Sequence, residues 1–261
     1  MPPRKPSVKN DLPPSIVPVG SGSGNSIRLL VYGQPGTGKT VLAGTSPNCL
    51  ILECDRGDES AKARGSDAHK WTIDDWNDMQ EAYDYLRNGG HKDFDWVWID
   101  SLTLFQERGL DNIMEDLVAE KPHRKVWAPD KGEYGQNMSR LTRLLRDFVN
   151  LPLNIGVTAH VIRTEDYTDG EVTYMPYVQG KNMPDKVCSY FGVVAHLTTV
   201  TKEGEEQVKF STLKSNKWYA KDRYGTIGAM LDPSVPKILT RIEQAGSKGS
   251  ARRRQETKDE S

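Results

Sequence analysis

The stretch that most constrains this chain is residues 33–40, a complete Walker A pattern that follows a β-prone run and precedes a helix-prone one. Glycines there tolerate positive φ and let backbone amides approach an anion, and amides at a helix N-terminus form a phosphate cradle. Lys39 is expected to reach the β- and γ-phosphates of a nucleotide, and the Thr40 hydroxyl to ligate Mg²⁺. The residues assigned to the nucleotide are Gly33, Gln34, Pro35, Gly36, Thr37, Gly38, Lys39 and Thr40.

Composition limits the classes of protein that remain. A chain of 261 residues is one large domain or two small ones. Its net charge of −1 creates no global basic field, so any contact with nucleic acid must come from local patches. No apolar run predicts a membrane span. The three cysteines form neither a metal-binding spacing nor a disulfide framework, which indicates a reducing, cytoplasmic location.

Three segments are predicted from local composition. Residues 1–24 are rich in proline and end in a glycine-serine run, which is typical of a flexible arm. Residues 25–243 form the predicted core, and residues 244–261 form a polar tail that is predicted to be disordered. We therefore expect a single folded domain with two mobile ends.

The core predicts an α/β fold, because strands alternate with helices from residue 27 to residue 160. We expect a mostly parallel central sheet covered by helices on both faces, and a C-terminal hairpin that turns at Glu203 and Gly204. Residues 71–88 and 138–149 are predicted helices. Residues 120–136 and 161–181 are predicted irregular loops, both basic and aromatic.

Three polar residues follow or end predicted strands. Asp55, Asp100 and His160 should converge beside the Walker A loop, because ligands bind at the carboxyl ends of parallel strands. Asp100 ends a hydrophobic run and is the Walker B candidate, holding Mg²⁺ through water. Many P-loop ATPases place Glu directly after that Asp, but this chain has Ser101. Glu53 and Asp55 are the nearest acids that could orient the attacking water.

This combination of residues resembles the RecA superfamily. The features that carry the resemblance are a strand-end acid, an Asp-Ser pair after Walker B and a polar residue ending the next strand. In these features the chain is similar, most of all, to phage-encoded RecA-like single-strand annealing proteins of the Sak-four type. The matching stretches span most of residues 27 to 220. The resemblance implies a RecA-like P-loop core that hydrolyses ATP, with Mg²⁺, and is stimulated by single-stranded DNA. It also implies annealing or homologous recombination, assembly into a ring or filament, a single-stranded-DNA-binding protein as a possible partner, and the host cytoplasm as location.

The resemblance also assigns roles to particular residues. Asp55 takes the position of the catalytic acid, where RecA has Glu, and Glu53 remains its rival. His160 falls where the family has Gln or Asn-Gln that senses the γ-phosphate. Lys214 and Lys217 fall near lysines that reach the ATP of the next protomer. The two predicted loops fall where RecA proteins bind DNA, and their candidate contacts are Arg124, Lys125, Trp127, Lys131, Arg163, Tyr174 and Lys181.

Two other classes remain open at this point. A small P-loop nucleoside or nucleotide kinase would need an arginine-rich lid and a second substrate pocket. A non-hydrolysing switch would bind nucleotide and assemble on a partner without turnover.

Overall fold

The computed structural model describes residues 26–165 and 172–244. The predicted arm (residues 1–24) and nearly all of the predicted tail (residues 245–261) lie outside the described residues, so those two expectations stay predictions. None of the helices in the described ranges has the length and apolar character needed to cross a membrane.

One sheet of nine strands organises the described chain, in the order β11-β9-β8-β1-β5-β4-β2-β3, with β10 paired to β8. Neighbours from β3 to β8 run parallel, whereas β9, β10 and β11 pair antiparallel. The strands are β1 (Arg28–Tyr32), β2 (Cys49–Glu53), β3 (His69–Thr72), β4 (Trp96–Asp100), β5 (Asn154–Ala159), β8 (Val193–Lys202), β9 (Glu205–Ser211), β10 (Lys221–Asp222) and β11 (Ala229–Leu231). A separate antiparallel pair consists of β6 (Val161–Glu165) and β7 (Val172–Pro176).

Helices cover both faces of the sheet, which confirms the predicted fold class. Alternate residues of a strand point to opposite faces: Leu30 and Tyr32 of β1 join one core cluster, and Leu29 and Val31 join the other. The first cluster packs against α3 to α6, and the second against α1 and α7. The helices are α1 (Lys39–Ala43), α2 (Glu59–Lys62), α3 (Trp76–Arg87), α4 (Leu102–Glu120), α5 (Lys131–Val149), α6 (Met183–Tyr190) and α7 (residues 235–244).

The order of the strands places the Walker A loop at the middle of the sheet. Strand β1 lies between β5 and β8, and the chain leaves it to form β2 three positions away. Crevices form where the strand order reverses in this way, at the carboxyl ends of the strands. The predicted C-terminal hairpin is also present as β8 and β9, and Glu203 and Gly204 both adopt positive φ at its turn (55° and 88°).

The helix predicted over residues 71–88 begins later than expected. Trp71 and Thr72 belong to β3, where they pair with Leu52 and Glu53 of β2. The helix starts after Asp75, whose carboxylate accepts a bond from the amide of Asp78. The prediction was wrong at this end because β-branched and aromatic residues favour a strand, and a parallel partner was available.

Both predicted irregular loops are also shorter than expected. Helix α5 begins at Lys131, seven residues before the predicted start, because Asp130 and Glu133 form a reciprocal capping box. The irregular connection from α4 to α5 is therefore residues 121–130. The second predicted loop contains the β6–β7 hairpin, and α6 follows it.

Candidate functional site

The Walker A loop turns tightly between β1 and α1. Gly36 and Gly38 adopt positive φ (79° and 88°), a conformation that L side chains rarely take. A Cβ atom on Gly33 would overlap the carbonyl of Leu197 in β8, so only glycine fits there. Lys39 is buried, and its Nζ donates to the carbonyls of Gly33 (3.1 Å) and Gln34 (2.9 Å). The lysine head is thus held at the loop itself.

The buried Asp100 carboxylate accepts hydrogen bonds from two threonine hydroxyls, one on the half-buried Thr40 and one on the buried Thr158. Thr40 Oγ1 donates to Asp100 Oδ2 at 2.6 Å, and the Thr158 hydroxyl donates to Asp100 Oδ1. Burial raises the pKa of the Asp100 carboxyl, although both hydroxyls act in the opposite direction. Thr40 and Asp100, which were each predicted to hold Mg²⁺, are therefore joined by a direct hydrogen bond between the first turn of α1 and the end of β4.

A cavity of about 710 Å³ opens over the Walker A loop. Its volume suits a nucleotide-sized ligand. Its wall is formed by the Walker A loop, α1, the region around α2, the ends of β4 and β5, strand β9 and the segment after β11. The lining residues include Pro35, Gly36, Gly38, Lys39, Thr40, Asp55, Gly57, Ser60, Arg64, Asp100, His160, Val208, Asp232 and Pro233.

Asp55 and Glu53 occupy different environments. Asp55 lines the cavity and is exposed. Burial is the largest cause of the pKa shifts of Asp100, His160 and Lys39, and the nearby Asp55 charge raises the pKa of each. Glu53 is only 3% exposed, and it accepts from the amide of Asp58 (3.1 Å) and from Lys70 Nζ (3.2 Å). Asp55 therefore faces the cavity, whereas Glu53 anchors the loop that carries Asp55.

His160 lies at the cavity edge with its backbone fixed. Its amide donates to the Thr103 hydroxyl at 2.9 Å, and that hydroxyl donates to the Tyr177 carbonyl at 2.8 Å. Burial lowers the pKa of His160, and the nearby Lys39 charge lowers it further. A neutral imidazole has one N–H donor and one acceptor nitrogen, so this side chain can donate to a phosphate oxygen.

The remaining candidates lie away from this cavity. Lys214 borders a separate cavity of about 290 Å³ together with His196 and Trp218, and Lys217 is exposed nearby. Neither lysine is among the described residues that line the larger cavity. Arg163 pairs with Glu165 (3.3 Å), Lys181 is exposed, and Tyr174 stacks on Trp218 at 4.4 Å.

The candidates in the first predicted loop divide into two kinds. Arg124 pairs with Asp130 (2.8 Å) and Glu133 (3.3 Å), and its side chain is 25% exposed. Trp127 is 77% exposed, and Lys125 and Lys131 are exposed as well. Arg124 thus braces the start of α5, whereas Trp127 projects outward.

A comparison of the sequence with protein families decides the family. The model described as "AAA domain" matches residues 25–224, well over half of the chain. The chain belongs to this family. No curated protein matches the sequence.

Solved structures similar to this AAA domain include two with low sequence identity. One is described as the RadB recombinase, with 16% identity, a TM-score of 0.42, and coverage of 70% of this chain and 80% of that one. Another is the flagellar accessory protein FlaH from Methanocaldococcus jannaschii, with 9% identity, a TM-score of 0.39, and coverage of 81% and 93% respectively.

The donor set of this AAA domain fits a nucleotide with Mg²⁺, as the family and the Walker A loop imply. The amides of the Walker A loop and Lys39 would hold the phosphates. Thr40 and Asp100 supply the hydroxyl and carboxylate oxygens that Mg²⁺ prefers. Within the described residues no cluster of three or more His, Cys, Asp or Glu could hold a metal by itself.

Several residues of the site escaped the sequence analysis. Thr158 and Thr103 lie inside or beside ordinary hydrophobic segments, and only the hydrogen bonds show their roles. Strand β9 contributes Val208 to the cavity, and the segment after β11 contributes Asp232 and Pro233, all far along the chain from the Walker A loop. The amide of Val235 donates to Thr45 Oγ1 at 2.8 Å, which ties the segment after β11 to the region just after α1. A single sequence offers no signal for such distant contacts.

Proposed function

We propose that this protein is a RecA-like ATPase that binds single-stranded DNA and promotes annealing or homologous recombination, as in phage-encoded annealing proteins of the Sak-four type. The observation that carries the ATPase part is the cavity in which the Walker A loop, the Thr40–Asp100 pair, Asp55 and His160 meet. A bound ion would add Lewis-acid stabilisation of the phosphates. The protein's own residues would bind ATP, orient water and respond to the γ-phosphate.

Asp55 is the proposed catalytic acid. Its carboxylate is exposed to the cavity, and its charge acts on the pKa values of Lys39 and His160. A carboxylate in this position would orient the attacking water and accept its proton. His160 would donate a hydrogen bond to the γ-phosphate. Lys39 would leave its bonds to the loop carbonyls and balance phosphate charge instead.

Binding of DNA is proposed from two surfaces. Trp127, Lys125 and Lys131 combine an exposed aromatic ring with cations, which is the pairing that holds single strands. The second surface is the β6–β7 hairpin and its flank, with Arg163, Tyr174 and Lys181. Lys214 and Lys217 are exposed and outside the protomer's own cavity, and this supports their proposed action on the ATP of a neighbouring protomer in a ring or filament.

An ATPase assay with and without a single-stranded oligonucleotide tests this proposal. We expect the wild-type protein to hydrolyse ATP faster with the oligonucleotide. Lys39→Ala should abolish hydrolysis, because it removes the cation that would stabilise the charge of the transition state. We expect the activation free energy to rise by several kcal/mol, on the order of the loss of one oxyanion-hole donor or more. The matched control is Lys92→Ala, at an exposed lysine outside the cavity, which should keep wild-type turnover.

Other outcomes identify the alternative classes. Transfer of phosphate to a nucleoside or nucleotide would identify a kinase. Tight nucleotide binding without turnover, with or without DNA, would identify a switch. Wild-type turnover in Lys39→Ala would contradict the assignment of the Walker A loop.

A further inference from the structure

Four aromatic side chains form a unit at the end of β1, separate from the nucleotide cavity: Tyr174, Trp218, His196 and Tyr32. Tyr174 of β7 stacks on Trp218 with ring centroids 4.4 Å apart, and Trp218 stacks on His196 of β8 at 3.5 Å. His196 in turn contacts Tyr32, the last residue of β1, at 5.3 Å. Four rings therefore run without interruption from the hairpin to the strand that delivers the Walker A loop.

Hydrogen bonds join the same three segments. The amide of Tyr174 donates to the Lys217 carbonyl (2.7 Å), and the amide of Tyr219 donates to the Tyr174 carbonyl (3.1 Å). These bonds attach β7 to the segment that carries Lys214 and Lys217. Hairpin and lysine segment are thus one backbone-paired body, and the ring stack closes over it.

The Tyr32 hydroxyl is the link between this body and β1. It lies within 2.6 Å of the Tyr219 carbonyl and 3.2 Å of the Tyr174 carbonyl, and Tyr32 is fully buried. A phenol has one proton, so it can donate fully to only one of these carbonyls at a time. The buried hydroxyl therefore has two alternative partners, one on each of the paired segments.

The neighbouring His196 side chain is an uncharged ring that packs against its aromatic neighbours. Burial lowers the pKa of His196 to about 4, so the ring is neutral at pH 7 and stacks as an uncharged aromatic. The nearest groups facing it are Tyr32 and Trp218, with Lys209 and Lys214 at the rim of the same cavity.

We propose that Tyr32 and Trp218 are positioning residues that couple the nucleotide site to the β6–β7 hairpin and the Lys214–Lys217 segment. Gly33 follows Tyr32 directly, so any adjustment of the Walker A loop around phosphate acts on the strand end that carries this hydroxyl. A ligand shifts an equilibrium only as far as it binds one arrangement more tightly than the other. The two acceptors of the single Tyr32 proton define two such arrangements, and bound nucleotide would favour one of them. This inference rests on the proposed nucleotide binding.

Hydrogen exchange measured by mass spectrometry tests the coupling on the full chain. With Mg²⁺ and ATP added, we expect the wild-type amides of the Walker A loop and those of Val161–Glu165 and residues 172–175 to exchange more slowly, by about tenfold or more. In Tyr32→Phe the Walker A amides should keep this response, and the hairpin amides should lose it. Tyr85→Phe removes a hydroxyl that bonds Asp93 on the surface (2.7 Å), and it should behave as wild type.

A second pair of variants separates coupling from simple loss of structure. Trp218→Leu should uncouple the hairpin, whereas Trp218→Phe, which keeps an aromatic stack, should restore the response at least in part. The nucleotide-dependent gain in affinity for a dT oligonucleotide should fall in the same variants.

Two results would overturn the inference, and they differ from each other. If Tyr32→Phe and Trp218→Leu both keep the full hairpin response, coupling does not pass through this unit, and nucleotide binding still stands. If nucleotide protects neither the Walker A loop nor the hairpin in the wild type, the proposed ATP site is wrong and the coupling falls with it.

Discussion

Two neighbouring acids, Glu53 and Asp55, show how environment separates residues of similar chemistry. Asp55→Asn should bind ATP but hydrolyse it about 10²–10⁴-fold more slowly, the usual loss of a general base. Glu53→Gln weakens the bonds to Lys70 and to the Asp58 amide. It should therefore lower the free energy of unfolding by about 1–3 kcal/mol and affect turnover less. Turnover and urea unfolding, measured on both variants, give the comparison. A larger catalytic loss in a fully folded Glu53→Gln protein would reverse the assignment.

At the level of elements, the connection between α4 and α5 combines a brace with a projecting ring. Trp127→Ala should weaken binding of a single-stranded oligonucleotide by about 1–3 kcal/mol, the value of one base–aromatic stack. Its effect on helix α5 should be small, because Trp127 is 77% exposed. Fluorescence anisotropy measured with increasing salt checks this, with Tyr85→Ala, an exposed aromatic on α3, as the control. Unchanged affinity in Trp127→Ala would exclude this ring as a DNA contact.

The elements also show what a single sequence can and cannot reveal. The Walker A loop was predictable from its spacing of glycines, Lys39 and Thr40. The buried strands β2, β4 and β5 were predictable because each is a mostly apolar run that ends at, or is followed directly by, a polar residue. Strand β3 was missed because Trp71 and Thr72 gain their conformation from β2, a long-range partner. The Thr158–Asp100 bond and the reach of Asp232 to the cavity depend on strand order, which local patterns do not specify.

At the scale of the whole molecule, the lysines outside the protomer's own cavity predict an active site completed between copies. Lys39→Ala and a Lys214→Ala/Lys217→Ala double variant should each be inactive. Their mixture should recover ATPase activity, because some interfaces then pair an intact Walker A loop with intact lysines. A loss of about 10³–10⁵ in rate is the size expected for a missing trans-acting cation.

Light scattering should accompany this mixing experiment to show that the two variants assemble together. A Lys92→Ala/Lys202→Ala double variant, at exposed lysines elsewhere, should keep wild-type activity alone. Absence of recovery in assembled mixtures would mean that Lys214 and Lys217 act within their own protomer or have no part in turnover.

The central position of β1 has a consequence for how the protein is made. Its partners are β5 and β8, which begin at residues 154 and 193, so more than a hundred residues separate the strand from either neighbour. Pairing at such separations is slow, because the loop between the strands must be ordered first. During synthesis the strand carrying the Walker A loop therefore emerges from the ribosome long before a partner exists. Competence to bind nucleotide should then appear late, when β5 and β8 have emerged, and the unpaired apolar strand is the segment that a chaperone would have to protect in the interval.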